Sequence, residues 1–331
     1  MNMSIINVAI VGVTGFTGVE ALRVLLLHPF VKIVNLVGNS YAGKEIAEIY
    51  PALSHYDLPT IQKLEDVDFE IIDCVFCCLP HQTSQEVIAK IIEKNNTIKI
   101  VDLSADFRLP ISLYENVYGK HLAPHLQSRA SYGLCEIFEK EIAESQIVAC
   151  PGCFPTSALL PLIPLKNHID GQIIIDSKTG ISGAGRKDSF DFSFTSCADS
   201  MKAYNPHKHR HRFEIENYLG KSVRFTPHLV PVSRGIETSI YFNSKVDCKA
   251  ILQEFYKNAK FVHIVKTIPS TREVMATNLC RIYVEQSGDE VFVSSVIDNI
   301  SKGSSTQAVQ NMNILFGFGQ ETGVEFMPIV P

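Results

Sequence analysis

What the chain lacks narrows it before any motif is considered. No apolar run approaches the roughly 18 residues that a membrane-spanning helix needs, so no membrane partner is expected. There is no basic excess: Lys and Arg number 30 against 35 Asp and Glu, a net charge of -5, which argues against general attraction to nucleic acid. Met1 to Ile10 shows neither the basic stretch nor the cleavage site of a secretory leader, and a cytoplasmic location is expected. Repeats, low-complexity tracts and linkers are also missing. Nine cysteines, an odd count beside opening residues that do not read as a secretory signal, make a disulfide framework improbable. Cys74, Cys77 and Cys78 in EIIDCVFCCLP have C-x-x-C spacing, but no second ligand pair follows at zinc spacing. They read as buried small hydrophobes, and no metal is expected.

What is present suggests two domains in 331 residues. In NVAIVGVTGFTGVEALRVLLLHPFVKIVNLVGNS, Asn7 to Val11 reads as a buried strand and Glu20 to Leu27 as a helix. Val31 to Val37 reads as a second strand. Further strands are expected over Ile71 to Leu79, Ile98 to Leu103 and Ile147 to Ala149, with a helix over Ser84 to Lys94. This alternation predicts an α/β, doubly wound, Rossmann-like domain. After Cys153 the runs lengthen and alternate: GQIIIDSKTG, VRFTPHLVPV, ETSIYFNSKV and RIYVEQSGDEVFVSSVIDN. With a helix near Ile251 to Lys257, they predict an α+β domain with a mostly antiparallel sheet. GSSTQAVQNMNILFG reads as a last helix capped near Ser304 or Ser305.

Between the first two strands, Gly12, Thr14, Gly15, Phe16, Thr17 and Gly18 form GVTGFTG. Glycine lets such a turn close and lets helix N-terminal amides approach a pyrophosphate. The G-x-x-G-x-x-G spacing is related to the dinucleotide fingerprint rather than identical to it, and a merely structural turn is the alternative. An NAD site places an acid about 20 residues on, for the ribose 2′-hydroxyl. Here Ser40 and Lys44 come first and no acid appears until Glu45, which favours NADP unless the acid lies elsewhere in the fold.

VACPGCFPTSALLPLIPL sets Cys153 behind a Pro-Gly break, with Pro155 suited to a first helical turn. A thiol there faces helix amides that stabilise its thiolate. Lowering its pKa by two units takes about 2.7 kcal/mol. A helix terminus supplies about 0.3–1 kcal/mol. A further group is needed, and a histidine is the expected one. A buried inert thiol, or a redox pair with Cys150, are the alternatives. AYNPHKHRHRFEIE offers His207, His209 and His211 among Lys208, Arg210 and Arg212. It could bind zinc or nucleic acid, or be a solvated charge run. It could equally give Cys153 an acid/base histidine and hold an anionic substrate through its cations. Arg108 in DLSADFRL could clamp a carboxylate or phosphate. Ser182, Gly183 and Arg186 in SGAGRK could face phosphate or cofactor.

Taken together, GVTGFTGVE, DLSADFRL, SYGLCE, PGCFPT, SGAGRK, HRHRFEIE and DNISKGSSTQAVQNMN resemble the N-acetyl-gamma-glutamyl-phosphate reductase family of the semialdehyde dehydrogenase superfamily, over nearly the whole chain. The resemblance implies NADPH-dependent reduction of an acyl phosphate to an aldehyde in arginine biosynthesis, with release of inorganic phosphate and a cysteine thioester on the way. It implies Cys153 as nucleophile and His209 as acid/base residue. His211 and Glu214 would line the site, Arg108 would meet substrate, and Gln307 would lie near the nicotinamide; Arg186, from its glycine loop, is expected to bind substrate as well. It also implies an NADP-binding domain of residues 1–149 with 300–331 and a catalytic domain of 150–299 that forms a homodimer or homotetramer. Cys150 stands where the family has Asn, Cys135 and Phe213 where it has Pro, and GSSTQA replaces a GAAGQA-like piece. Rivals are a reductase of aspartyl or aminoadipyl phosphate, and a non-catalytic NADP-sensing protein.

Overall fold

The chain's two textures become two units in a computed structural model that describes residues 4–186 and 194–329. One unit is Met1–Pro151 with Ser305–Val324; the other is Gly152–Ser304 with Glu325–Pro331.

The first unit holds strands β1 (Ile6–Val11), β2 (Val31–Val37), β3 (Ile61–Gln62), β4 (Cys74–Cys77), β5 (Lys99–Asp102), β6 (Ala130–Tyr132) and β7 (Ile147–Ala149). All are parallel, in the order β3-β2-β1-β4-β5-β7-β6. Helices α1 (Phe16–Leu25), α2 (Ser84–Lys94), α3 (Ile111–Tyr118) and α4 (Cys135–Glu144) connect them. Burial explains the near-continuous apolar strands: Val8, Ala9, Ile10, Val75, Phe76 and Ile100 are wholly enclosed. The order reverses between β1 and β4, so a ligand crevice is expected at the carboxyl ends of those strands.

Several boundaries differ from expectation: the helix expected over Ile251 to Lys257 is Cys248–Phe255, and the strand expected over Ile98 to Leu103 is Lys99–Asp102. The first helix begins at Phe16 rather than Glu20, because Gly18 lies inside its first turn. The strand expected over Ile71 to Leu79 keeps only Cys74–Cys77. Phe69–Ile71 is a 3-10 turn, capped where Asp68 accepts a hydrogen bond from the Glu70 amide at 3.0 Å.

The second unit opens on α5 (Cys153–Leu165), followed by β8 (Asp170–Gly180), the single turn α6 (Phe194–Cys197), β9 (Lys202–Ala203) and α7 (Arg210–Leu219). Then come β10 (Val223–Val230), β11 (Ile236–Asn243), α8 (Cys248–Phe255), β12 (Val262–Ile264), β13 (Cys280–Ser287) and β14 (Glu290–Ile297). The sheet order is β12-β13-β14-β11-β8-β10-β9; β12–β13 and β8–β10 run parallel and the other pairs antiparallel. α5 is apolar nearly all round, as a buried helix must be, and it contains Pro161 and Pro164. Pro164 has no N–H for the Leu160 carbonyl four residues back. The Tyr256 hydroxyl donates to that carbonyl instead, at 2.6 Å.

A five-residue π-helical turn, Ser301–Ser305, leads into α9 (Thr306–Phe316), which packs in the first unit. Ser305 occupies the cap position expected of it but does not cap. Its hydroxyl donates to the Thr17 carbonyl at 2.9 Å, tying α9 to the first turn of α1.

Candidate active site

In the first unit the glycines of GVTGFTG differ in what holds them. Gly12 leaves β1 at φ +83°, and a Cβ there would lie 2.4 Å from the Cys78 carbonyl oxygen at the end of β4. A Cβ on Gly18 would come 2.3 Å from the Gly12 oxygen. The fold itself requires glycine at both. At Gly15 a Cβ would meet only the Gly12 oxygen, at an ordinary 3.6 Å. So the protein leaves open the space above the helix mouth that a close-lying ligand would fill. Gly15 is the cap residue of α1, whose first turn has no acidic residue and whose cap offers no side-chain acceptor. Phe16, Thr17 and Gly18 form that first turn, and the Thr14 carbonyl is fixed by the Tyr50 hydroxyl at 2.9 Å. A helix mouth built this way accepts phosphate anions, and these residues fit a dinucleotide.

Beyond β2, Ser40 lies in a 3-10 turn and Lys44 follows it, both exposed. The Lys44 carbonyl accepts from the Ile61 amide at 2.9 Å. Gln307 is fully buried in the first turn of α9. Arg108 is also buried, and its Nη2 donates to the Leu103 carbonyl at 3.0 Å. Cys135 and Cys150, two of the departures from the family pattern, share one partner. Cys135 Sγ donates to Asn311 Oδ1 at 3.1 Å, and Asn311 Nδ2 donates to Cys150 Sγ at 3.6 Å. Burial, reinforced by Asp102, pushes the Cys150 thiol up to about 12, so it remains protonated at neutral pH. Burial likewise raises Cys74 and Cys78.

The second unit brings the cysteine and histidine motifs together. Cys153 is the first residue of α5 behind the cap Gly152, and it is partly exposed. Its two chain neighbours are clasped by HRHRFE. The Gly152 amide donates to Glu214 Oε1 at 2.8 Å, and Glu214 is itself buried. A Cβ on Gly152 would stand 2.5 Å from His211 Nε2, so the imidazole lies directly on that glycine. On the other side, the Phe154 ring meets His209 and His211 edge-on, at centroid distances of 5.6 and 5.8 Å. Phe225 and Tyr204 complete an aromatic wall around His209, at 5.5 and 5.4 Å. Neither was evident from sequence. Tyr204 lies in AYNPHKHRH, but nothing in its spacing gives it this place, and Phe225 is an ordinary strand residue.

His209 caps α7, its Nδ1 accepting from the His211 amide at 3.2 Å. Burial first, and then the neighbouring Arg210, lower its pKa to about 4. At neutral pH the ring is uncharged, and with Nδ1 accepting, its proton lies on Nε2. The histidine beside the thiol is therefore not a cation at neutral pH, and His209 acts as a neutral donor. His207 is exposed, in a left-handed backbone at φ +60°. Among the described residues, no group of three or more His, Cys, Asp or Glu side chains is arranged to hold a metal.

Ser182 and Gly183 lie in a 3-10 turn after β8, and Arg186 follows, exposed. The Ser182 hydroxyl accepts from Asn299 Nδ2 at 3.0 Å. Lys187, the last residue of SGAGRK, lies outside the described residues. No helix among the described residues is long and apolar enough to cross a membrane.

Two family models match the chain: a semialdehyde dehydrogenase NAD binding domain over residues 7–145, and a semialdehyde dehydrogenase dimerisation domain over residues 153–299. They indicate a nicotinamide cofactor and assembly into an oligomer. The chain is 42% identical over 338 residues to a protein of Sulfurimonas denitrificans named N-acetyl-gamma-glutamyl-phosphate reductase, covering 99% of this chain and 100% of that one. It is 39% identical over 340 residues to one of the same name from Aquifex aeolicus, covering 98% and 99%. Among solved structures it is similar to aspartate semialdehyde dehydrogenase II of Vibrio cholerae complexed with ASA, with a TM-score of 0.73 at 17% identity, covering 94% of this chain and 98% of that one. It is also similar to the Candida albicans aspartate semialdehyde dehydrogenase with NADP, with a TM-score of 0.69 at 15% identity and 94% of this chain covered. At those identities the structures speak to the fold alone.

Proposed function

Because the chain belongs to the N-acetyl-gamma-glutamyl-phosphate reductase family of semialdehyde dehydrogenases, we propose that it reduces N-acetyl-L-glutamyl 5-phosphate to N-acetyl-L-glutamate 5-semialdehyde with release of phosphate. One observation carries the reading. The residues on either side of Cys153 are clasped by His209, His211 and Glu214 of a single motif, which fixes the thiol at the mouth of α5.

The chemistry follows from that placement. The Cys153 thiolate, favoured by the α5 amides, attacks the acyl carbon; the bond to phosphate breaks and a thioester remains. His209, neutral and carrying its proton on Nε2, donates a hydrogen bond to the oxygen that gains charge. A reduced nicotinamide, when bound, supplies hydride for the reduction. The tetrahedral thiohemiacetal then collapses, its carbon–sulfur bond breaks, and the aldehyde leaves with the thiolate restored. Gly12, Thr14, Gly15, Phe16, Thr17 and Gly18 would hold the pyrophosphate. Exposed Ser40 and Lys44, standing where an acid would repel a 2′-phosphate, support NADP over NAD. Arg108 and Arg186 are the cations assigned to substrate, Ser182, Gly183 and Gln307 to the cofactor, and a homodimer or homotetramer is the proposed assembly.

Relatives named for this activity at about 40% identity do not favour aspartyl or aminoadipyl phosphate, nor a sensor without catalysis. The test is the reverse reaction: phosphate-dependent reduction of NADP with N-acetylglutamate semialdehyde, beside aspartate semialdehyde. Preference for the first substrate is expected. Equal or greater activity on aspartate semialdehyde would overturn the substrate assignment, and activity independent of phosphate would overturn the acyl-phosphate chemistry.

A further inference from the structure

Beneath Cys153 lies a segment to which the reaction assigns nothing, Asp298 to Gly303. A Cβ on Gly303 would stand 2.8 Å from the Cys153 Cβ, 3.2 Å from Ile297 Cδ1 and 3.3 Å from the Asp298 carbonyl oxygen. The segment therefore touches the cysteine through bare backbone, and nothing larger than glycine fits. It belongs to the π-helical turn Ser301–Ser305, a rare geometry that recurs at functional sites.

The turn is held from one buried carboxylate. Asp298 is fully enclosed, and its Oδ1 accepts from the Ile300 and Ser301 amides, both at 3.0 Å. Its Oδ2 accepts from the Ala276 amide at 2.7 Å and lies 2.6 Å from Arg234 Nε. Arg234 Nη2 donates to Asp298 Oδ1 at 3.2 Å and to the Ser301 hydroxyl at 2.8 Å. A guanidinium engaging both carboxylate oxygens fixes direction as well as distance. The Gly303 amide donates to the Asp298 carbonyl at 2.9 Å, which closes the turn under the thiol.

The same pair reaches the loop carrying Ser182. The Arg234 segment is paired with it: the Gly180, Ile181 and Ser182 amides donate to the Gly235, Val232 and Ser233 carbonyls at 2.9, 2.9 and 3.1 Å. A Cβ on Gly180 would sit 2.8 Å from the Arg234 backbone. Asn299 bridges from the turn itself, its Oδ1 accepting from the Gly235 amide and its Nδ2 donating to Ser182 at 3.0 Å. Hydrogen bonds to ordinary surface loops would satisfy Asp298 equally well. Apart from the Ala276 amide, the bonds of the pair and of Asn299 lead to two places, the backbone under Cys153 and the Ser182 loop.

We propose that Asp298 and Arg234 are positioning residues for the nucleophile: through the Gly303 turn they set the height of Cys153 at the mouth of α5 and lock it in register with the Ser182 loop. The inference rests on Cys153 being the nucleophile. A misplacement of about 1 Å at a reacting atom is enough to cost about 10²-fold in rate.

The test uses full-length Asp298→Asn, which keeps the size but breaks the ion pair, and Arg234→Lys, which keeps the charge but not the fork. Turnover, the KM for NADPH, the thermal midpoint and the pH dependence of Cys153 alkylation by iodoacetamide, followed by peptide mass spectrometry, are measured on the folded fraction. We expect turnover per folded chain to fall about 10–10²-fold at an unchanged KM for NADPH, with the pH midpoint of alkylation displaced. Asp298→Glu should not restore turnover, because a longer side chain cannot return the turn to its place. If Asp298→Asn does not fold, Arg234→Lys decides alone. Wild-type turnover per folded chain and an unmoved alkylation midpoint, with only a lower melting temperature, would overturn the proposal and leave the pair a stabilising one. Cys153→Ser is run beside them: if it keeps substantial reductase activity, the nucleophile assignment fails, whatever the pair does.

Discussion

His211 rests on Gly152: a Cβ at residue 152 would come 2.5 Å from Nε2 and 2.8 Å from Cε1 of the imidazole. The Gly152 backbone, at φ -65° and ψ 154°, is open to any residue, so contact with His211 is what demands glycine there. Gly152→Ala should therefore lower the melting temperature and displace Cys153, cutting turnover by at least about 10²-fold. Adding His211→Ala removes the obstacle. The double variant should recover the melting temperature while remaining poorly active. Thermal melts of both variants check this, and equal destabilisation of single and double would contradict it.

Cys153→Ser should keep the fold and lose nearly all activity, because a serine hydroxyl does not ionise at a helix mouth. With wild-type enzyme and acyl phosphate but no nicotinamide, mass spectrometry should find an acyl group on Cys153. Iodoacetamide at neutral pH should modify Cys153 well before Cys150, whose thiol burial holds near 12. An adduct on Cys150 instead would break the assignment.

His209 makes a pH prediction with a definite sign. Its pKa is about 4 when folded against 6.5 ordinarily, so the unfolded chain takes up the proton first. The stability it contributes is whole above pH 6.5 and is lost as pH falls from 6.5 toward 4. His209→Asn should remove that component, so the difference in melting temperature between wild type and variant should shrink across the window. The same substitution should reduce turnover by about 10²–10⁴-fold, the ordinary worth of a positioned proton-handling group. If His211→Asn costs far more than His209→Asn, the two histidines have exchanged roles.

How far the sequence could be read divides by the range of the interaction. The strand-glycine-helix start, β2, α2 and β7 were legible because each depends on local periodicity and punctuation. The mixed pairing of the second sheet was less so: RIYVEQSGDEVFVSSVIDN announces the β13–β14 hairpin, but nothing local says that β8 and β10 run parallel. α5 continues through Pro164 because Tyr256 supplies a hydrogen bond to Leu160, 96 residues before it. In the site, Cys153 and the HRH motif could be singled out by residue type. Phe225, Tyr204 and the Asp298–Arg234 pair could not, since their roles arise only from long-range packing. The uncharged state of His209 could not be read from sequence, because it is set first by burial, which sequence does not display, with the adjacent Arg210 acting in the same direction.

Cofactor choice can be tested on the exposed turn beyond β2. Ser40→Glu places a carboxylate where a 2′-phosphate would approach. Two like charges about 4 Å apart repel by about 1–4 kcal/mol. The kcat/KM for NADPH should fall at least about fivefold while that for NADH holds or rises. Parallel steady-state kinetics with both cofactors decide, and an unchanged ratio would place the 2′-phosphate elsewhere.

The glycine loop gives the last prediction, because its glycines answer to different causes. Gly18→Ala must push a methyl group to within 2.3 Å of the Gly12 oxygen, so the free protein itself should be destabilised. Gly15→Ala meets only that oxygen at 3.6 Å, from a backbone at φ -78° that alanine adopts readily. The free protein should tolerate it, with a melting temperature close to wild type. If a pyrophosphate lies against the mouth of α1, the new methyl occupies the ligand's space, and NADPH affinity should drop by about tenfold or more while stability is unmoved. Cofactor titration by fluorescence, alongside melts with and without NADPH, separates the two effects. Wild-type NADPH affinity in Gly15→Ala would mean that the phosphates do not lie over this glycine, and the cradle would have to be sought elsewhere in the crevice between β1 and β4.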